Sequence, residues 1–232
     1  MKKIGFIGCY DKTDLIMYIA KILVASEKKV LVVDATINQK AKYIVPVIKP
    51  TTSYVTEFEK IDVAVGFENY DQIKAYLGSP KNIDLAYDIV LIDADSPKAI
   101  EQFDLMNAEI NYYVTSFDAF SLKKGLEILS GLNQIIKLTK VLFSRDASRE
   151  EDDYLNYLSL GYKIEWQDER IYFPFEVGDQ SVIFENQRVA KIRFKKLSEQ
   201  YKEALIFIAE NILDKSEYAE VKRLFKQLEK GV

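Results

Sequence analysis

Histidine is absent from this 232-residue chain, and cysteine occurs once, as Cys9. Without histidine the chain lacks both the commonest general base and the commonest transition-metal ligand. Ser-His and Cys-His catalysis are therefore excluded, and the remaining chemistry is that of carboxylates, lysines or a phosphate-binding loop. A single cysteine excludes an intramolecular disulfide and is typical of proteins in a reducing compartment.

The chain also has no long uncharged apolar run. Residues 15–26 come nearest to one, but they include Lys21 and are too few to cross a membrane. The apolar stretch before Cys9 is shorter than the hydrophobic region of a signal peptide, and Asp11 follows at once. A formal net charge of -4 gives no overall attraction to nucleic acid. We therefore expect a cytoplasmic protein for which nucleic acid is not a partner.

Short apolar strands alternate with helical segments through most of the sequence. The strands are apolar at consecutive positions, which is typical of a parallel sheet covered on both faces. The sequence therefore predicts an α/β fold over residues 1–213, with a mostly parallel twisted sheet and helices on both faces. A C-terminal amphipathic helix follows in 214–232, and 43–67 is expected to be irregular or to form edge strands. The predicted strands are 4–7, 30–33, 89–92, 112–114 and 140–143, and the predicted helices are 11–29, 97–106, 121–131, 149–158, 197–213 and 217–230.

The turn after the first predicted strand has features of a phosphate-binding loop. Such a loop needs glycines, so that several backbone N–H groups can converge on the anion, followed by Lys and Ser or Thr at the helix start. Lys12 and Thr13 occupy those two positions, and Gly8 is the loop glycine that is kept. Asp11 stands directly before the lysine, where such a loop has glycine.

The loop and two later strands resemble those of the ParA/MinD family of P-loop ATPases. The family's loop reads K-G-G-x-G-K-T-[TS], and its length is unchanged here. Residues 87–97 are similar to the family's YDxVIIDxPP strand, and Asp93 matches its magnesium-linked carboxylate. The strand that ends in D-x-D in the family ends here in Asp34 and Thr36. The resemblance runs from residue 3 to about residue 213, and it implies ATP or ADP with Mg²⁺ as a possible cofactor.

Two further segments extend this resemblance to the adenine side of the nucleotide site. Residues 113–122 are similar to the family's VxxPxxxSL strand and helix start, and 173–176 resemble the beginning of its IPYDxxV segment. Ser144 and Arg145 stand where the family usually has Asn-Arg. The resemblance implies that Thr13 and Asp93 hold Mg²⁺. The nucleotide-binding residues that it implies are Gly8, Asp11, Lys12, Thr13, Asp34, Asp93, Pro174 and Phe175.

Departures from the family pattern predict impaired ATP hydrolysis. Ile7 replaces the signature lysine, and Thr36 replaces the aspartate that in the family helps to activate the attacking water. The Asp11 carboxylate would face the phosphates, and two like charges about 4 Å apart cost about 1 kcal/mol in water and about 4 kcal/mol at an effective dielectric of about 20. We expect no catalytic residue, whereas nucleotide binding stays open. Alternatively, Asp11 only caps the helix, and Lys12 forms an ion pair with Asp93.

Residues 217–230 have the pattern of a short basic amphipathic helix. Its apolar positions recur at helical spacing, and its other face carries lysine and arginine. Such a helix can lie in a membrane interface with its cations at anionic headgroups, and 221–225 is similar to the FLKRLF membrane-targeting tail found in the family. The alternative is a terminal helix packed on its own domain. The candidate membrane residues are Val221, Lys222, Arg223, Leu224, Phe225 and Leu228.

These features predict a positioning or assembly scaffold rather than an efficient ATPase. On this hypothesis a degenerate ParA/MinD-like protein, as in the TadZ/CpaE group, acts at the inner face of the cell membrane, for example with a pilus or secretion apparatus. It would have a protein partner and could form a homodimer. The alternative is a divergent ParA-type ATPase of plasmid or chromosome partition, with 188–196 as its basic cluster. A phosphoacceptor receiver domain is discounted because Gly8 and Cys9 stand where an acidic pair is required.

Overall fold

A central eight-stranded sheet organises the computed structural model, which describes residues 1–47, 51–79, 85–144 and 149–231. The strands are β1 (Lys2–Ile7), β2 (Val30–Asp34), β3 (Tyr54–Phe58), β4 (Ile61–Val65), β5 (Ile89–Ala94), β6 (Ile110–Ser116), β7 (Ile136–Ser144) and β8 (Ile164–Pro174). The helices are α1 (Thr13–Ala25), α2 (Ala41–Ile44), α3 (Tyr70–Tyr76), α4 (Pro97–Gln102), α5 (Ala119–Ser130), α6 (Arg149–Leu158), α7 (Val177–Arg188), α8 (Glu199–Ile212) and α9 (Tyr218–Lys230), with 3₁₀ turns at Leu105–Asn107 and Lys215–Glu217.

The sheet is parallel except at one edge. Its strand order is β3-β4-β2-β5-β1-β6-β7-β8, and β3 runs antiparallel to β4. Strand β1 lies near the centre, where Ile7 pairs with Ala94 of β5 on one side and with Tyr113 of β6 on the other. The carboxyl ends of the parallel strands therefore meet at one edge of the sheet, which is where ligands bind in folds of this kind. The predicted fold class is confirmed.

Helices cover both faces of the sheet. In β2, Val30 and Val32 belong to a core shared with α1, α8 and α9, whereas Leu31 and Val33 belong to a second core shared with α3, α4 and α5. Alternate residues of one strand thus enter two different cores, and both sets must be apolar. This is the physical reason for the uninterrupted apolar runs in the sequence.

Helix α1 begins later and ends earlier than the predicted helix 11–29. The chain turns at Glu27, which has a φ of 61° and cannot continue a right-handed helix. Lys12 is the N-cap residue, and its side chain makes no capping hydrogen bond. The prediction that Asp11 is the N-cap is therefore wrong. Its carboxylate lies one residue too early, and the bond that it accepts from the backbone N–H of Thr13 is long, at 3.3 Å.

Several elements differ from their predicted form. The edge strands expected in 43–67 are present as the β3–β4 hairpin, with β3 at the sheet edge. The predicted helix 97–106 divides into α4 and a 3₁₀ turn because Asp104 has a φ of 52°. Strand β8 and helices α2, α3 and α7 were not predicted. The first half of β8 is polar, with exposed residues such as Glu165 and Asp168, so it has no apolar run to reveal it.

Helix α9 packs against the domain. The side chains of Val221 and Phe225 are 0% and 3% exposed, and the rings of Phe225 and Phe194 lie 5.1 Å apart. An ion pair of 2.6 Å between Lys202 and Glu229 joins α8 to α9. Contact of this apolar face with a membrane stays a prediction, because it requires α9 to leave the domain. Within the described residues, no helix is long and apolar enough to span a membrane.

The other four candidate membrane residues differ in exposure. Leu224 and Leu228 are half-buried, and Leu228 packs against the core that α9 covers. Lys222 and Arg223 are exposed. In its packed position the helix therefore presents cations, rather than its full apolar face, to the solvent.

Candidate functional site

The loop between β1 and α1 lies at the carboxyl edge of the sheet, where the phosphate-binding loop was predicted. Gly8 has a φ of 141°, and a Cβ at this position would lie 2.2 Å from the backbone oxygen of Val114. A larger residue would therefore be strained and would collide with β6. This explains structurally why Gly8 is kept while the other loop glycines are replaced.

Lys12 and Asp93 form a buried ion pair at the end of β1 and β5. The ammonium of Lys12 lies 2.7 Å from Oδ1 of Asp93 and donates a 2.8 Å hydrogen bond to the backbone oxygen of Gly8. Both side chains are almost fully buried. Burial raises the pKa of Asp93 to about 6, and this effect outweighs the opposing charge of Lys12. The ion pair considered in the sequence analysis is thus present.

Thr13 stands beside this pair. Its hydroxyl donates a 3.5 Å hydrogen bond to Oδ2 of Asp93. The two oxygens fit the few protein ligands that Mg²⁺ needs when phosphates supply the rest of its coordination. Among the residues that the structure describes, no cluster of three or more acidic or cysteine side chains is placed to hold a metal ion. Thr13 and Asp93 as ligands of Mg²⁺ stay a prediction.

Asp34 and Thr36 shape the loop that follows β2. The Asp34 carboxylate accepts a 2.9 Å bond from the backbone N–H of Ala41 and bonds from the amide and hydroxyl of Thr36. The Thr36 hydroxyl also accepts a 3.0 Å bond from the backbone N–H of Gln39. Asp34 thus fixes the start of α2 and does not line the cavity beside Lys12. Its predicted contact with nucleotide remains untested.

Lys40 is a residue of the site that the sequence analysis missed. Its ammonium forms an ion pair with Asp11 and lies 3.2 Å from Oδ2 of Asp14. Asp14 also accepts hydrogen bonds of 2.8 and 2.9 Å from the Gln187 amide of α7. No sequence motif marks Lys40, because the contact joins two loops that are separate in the chain.

Two neighbouring cavities lie along this edge of the sheet. The first, of about 240 Å³, is lined by Cys9, Tyr10, Asp11, Lys12, Thr13, Thr36, Asn38, Lys40, Tyr43, Asp93 and Asp95. The second, of about 190 Å³, is lined by Tyr10, Asp11, Asp14, Leu15, Lys40, Phe143, Pro174, Phe175, Asp179, Gln180, Ile183, Phe184 and Tyr201. The structure therefore places Lys12, Thr13 and Asp93 at one cavity, and Pro174 and Phe175 at the other.

At the boundary between the cavities, side chains stand where the family's glycine-rich loop leaves its backbone uncovered. The Tyr10 ring lies 4.6 Å from that of Phe143 and 6.2 Å from that of Phe175. Cys9 is half-buried at the first cavity, and burial raises the pKa of its thiol, so the thiol stays protonated at neutral pH. Arg145, which follows β7 on the adenine side, lies outside the described residues.

Similarity to known proteins is found among solved structures and not among sequences. No protein family model and no curated protein matches the sequence. The chain is similar to a chain of the MinC:MinD cell division protein complex from Aquifex aeolicus, at 14% identity, with 91% of this chain and 96% of that chain covered and a TM-score of 0.62.

Two nucleotide complexes are also similar. The septum site-determining protein MinD from Pyrococcus horikoshii, complexed with Mg-ADP, is 16% identical over 93% of this chain and 97% of its own, with a TM-score of 0.53. A plasmid partition protein from Borrelia burgdorferi, bound to AMPPNP, is 10% identical over 97% of this chain and 98% of its own, with a TM-score of 0.51. At these identities the likeness shows the fold. The resemblance found in the motifs is confirmed at that level, and the chain has the ParA/MinD-type P-loop ATPase fold.

Proposed function

We propose that this chain is a degenerate ParA/MinD-like protein in which ATP hydrolysis is impaired or lost, and that it acts as a positioning or assembly scaffold. The observation that carries the proposal is the Asp11 carboxylate in the phosphate-binding loop, held there by Lys40. A carboxylate at this point repels the phosphates that the loop's glycines would otherwise cradle. Thr36 supports the proposal further, because a hydroxyl committed to Asp34 cannot act as a general base.

Nucleotide binding without efficient turnover fits the residues that remain. Lys12, Thr13 and Asp93 lie together, as a phosphate and Mg²⁺ would require. Two structures with this fold contain AMPPNP or Mg-ADP. We therefore include ATP or ADP with Mg²⁺ as the ligand of the proposed scaffold. The same three residues favour, as the second candidate, a divergent ParA-type ATPase in plasmid or chromosome partition.

A scaffold needs a surface for its partner and a means of localisation. The similarity to a chain of the MinC:MinD complex supports a protein partner for this chain, and a homodimer is part of the proposal. For localisation at the inner face of the cell membrane, for example beside a pilus or secretion apparatus, we propose α9. Its exposed Lys222 and Arg223 would contact anionic headgroups, and Val221 and Phe225 would insert only after α9 detaches.

Steady-state phosphate release from Mg-ATP tests the proposed loss of hydrolysis. We expect wild type to release phosphate no faster than Lys12→Ala and Thr13→Val, both checked for native circular dichroism. A wild-type turnover that either substitution abolishes would support the ATPase candidate instead.

A further inference from the structure

A charged bridge stands between the two cavities. It consists of the Lys40 ammonium, the Asp11 carboxylate and the Asp14 carboxylate, with 3.2 Å between Lys40 Nζ and Asp14 Oδ2. Burial acts to lower the pKa of Lys40, but the charges of Asp14 and Asp11 together raise it. Lys40 is therefore cationic throughout the physiological pH range, and the bridge is an ionic contact.

Both ends of the bridge are held by other elements. Lys40 is the N-cap residue of α2, and the next residue, Ala41, donates its backbone N–H to Asp34 at the end of β2. On the other side, Gln187 of α7 donates to both oxygens of Asp14. The bridge thus joins α1, α2 and α7 across the cleft, and it is part of a connected network rather than a chance surface pair.

The bridge divides a space that a nucleotide would have to span. Tyr10, Asp11 and Lys40 line both cavities, so they form the wall between them. Each cavity is smaller than the roughly 300–1,000 Å³ of a typical ligand pocket, whereas the two joined would reach this range. A molecule with phosphates beside Lys12 and a base beside Phe175 would cross the wall at Asp11.

We propose that the bridge is an autoinhibitory contact: the Asp11 carboxylate closes the nucleotide cleft, and it neutralises Lys40, a cation that would otherwise attract a phosphate. The proposal rests on the proposed function in taking a nucleotide as the ligand of the cleft. In the closed state the carboxylate repels a phosphate and also neutralises the half-buried Lys40 ammonium. Removing Asp11 would end the repulsion and would leave Lys40 with Asp14 as its remaining acidic partner in the bridge.

Binding of Mg-ATP to full-length variants, followed by isothermal titration calorimetry, tests this assignment. We expect Asp11→Gly to bind at least tenfold more tightly than wild type. Asp11→Asn keeps the size of the side chain but loses its charge, so its affinity for Mg-ATP should lie between those of wild type and Asp11→Gly. Lys40→Ala should bind no more tightly than wild type, because it leaves an unneutralised carboxylate in the cleft. Thermal unfolding of each variant checks that it is folded.

The outcomes separate the bridge from the proposed function. Equal affinity of folded Asp11→Gly and wild type overturns the bridge proposal, as does tenfold tighter binding by Lys40→Ala. Both of these outcomes are differences in binding affinity, and neither depends on hydrolysis. Hydrolysis by wild type would contradict the proposed function, whereas an unchanged dissociation constant in Asp11→Gly would contradict the bridge alone.

Discussion

Among single residues, the site depends most on Lys12 and Asp93, because each of these buried side chains compensates the charge of the other. A carboxylate buried at the end of a strand avoids ionisation unless a cation lies close to it. The pKa of Asp93 in the folded protein, about 6, lies above its ordinary value of 3.8. The native state therefore binds more protons than the unfolded state between these values, and the contribution of Asp93 to stability falls as pH rises through this window.

We predict that Lys12→Met lowers the free energy of unfolding by about 3–5 kcal/mol at neutral pH, because it leaves a buried carboxylate without its partner. The loss should shrink near pH 5, where Asp93 is largely protonated in wild type and variant alike. Urea unfolding at the two pH values measures both quantities.

The double variant Lys12→Met/Asp93→Asn is the matched control, because it has no buried carboxylate to titrate. Its difference from wild type should lack the added loss that Lys12→Met shows toward neutral pH. An equal loss for Lys12→Met at both pH values would mean that the ionisation of Asp93 does not govern the effect.

Sequence reasoning found part of this site and missed part of it, for a physical reason. Lys12, Thr13 and Asp93 could be placed together because the carboxyl ends of parallel strands meet at one edge. The contact between Asp11 and Lys40 depends instead on the path of the loop after β2, which no periodicity or motif specifies. The sequence therefore suggests two roles for Asp11, facing the phosphates or capping the helix, and does not indicate its ion pair with Lys40.

Among the elements, α5 begins at the same edge and has a well-formed N-cap. Asp118 accepts bonds of 3.0 Å and 2.9 Å from the backbone N–H groups of Phe120 and Ser121. Hydrogen bonds from Ser116 and Ser121 lower the pKa of Asp118 to about 2. Its stabilising effect is therefore present above its unfolded pKa and is lost as pH falls toward about 2.

We predict that Asp118→Ala destabilises the protein by about 1 kcal/mol, the usual cost of losing an N-cap. Asp118→Asn should lose less, because an amide oxygen still accepts from both backbone groups. Thermal unfolding at neutral pH compares the two variants, and an Asn variant as unstable as the Ala variant would contradict a capping role.

The C-terminal helix shows how an amphipathic pattern leaves its partner undecided. The sequence predicted the helix and its apolar face correctly, but a protein core and a membrane favour the same residues at the same spacing. The structure shows the partner, since Phe194 of the loop between α7 and α8 packs on Phe225. In this structure the apolar face of α9 is part of the domain core.

We predict that Phe225→Ala lowers the free energy of unfolding by about 3–5 kcal/mol, as expected for a large side chain removed from a core. Lys226 is the next residue and is exposed, so Lys226→Ala should change the free energy of unfolding by less than about 0.5 kcal/mol. Equal small effects would show that α9 does not stay packed. Co-sedimentation with anionic lipid vesicles then measures whether the detached helix binds a membrane.

At the scale of the whole molecule, the fold is kept while the phosphate site is altered. The sheet order and the position of the loop after β1 depend on apolar strands and on crossover geometry, both of which survive many substitutions. The chemistry depends on a few side chains, and Asp11 and Thr36 change it without disturbing the sheet. This is why the sequence predicted the fold class well and indicated edge strands in 43–67, whereas β8, with its polar first half, was not predicted.

A single-turnover experiment with radiolabelled ATP, Mg²⁺ and excess protein tests most directly whether this altered site has lost hydrolysis, because it separates the chemical step from weak binding and slow release. We predict that wild type, at protein concentrations where ATP binding is measured, releases labelled phosphate no faster than Thr13→Val. Release by wild type at least tenfold faster than by Thr13→Val would contradict it.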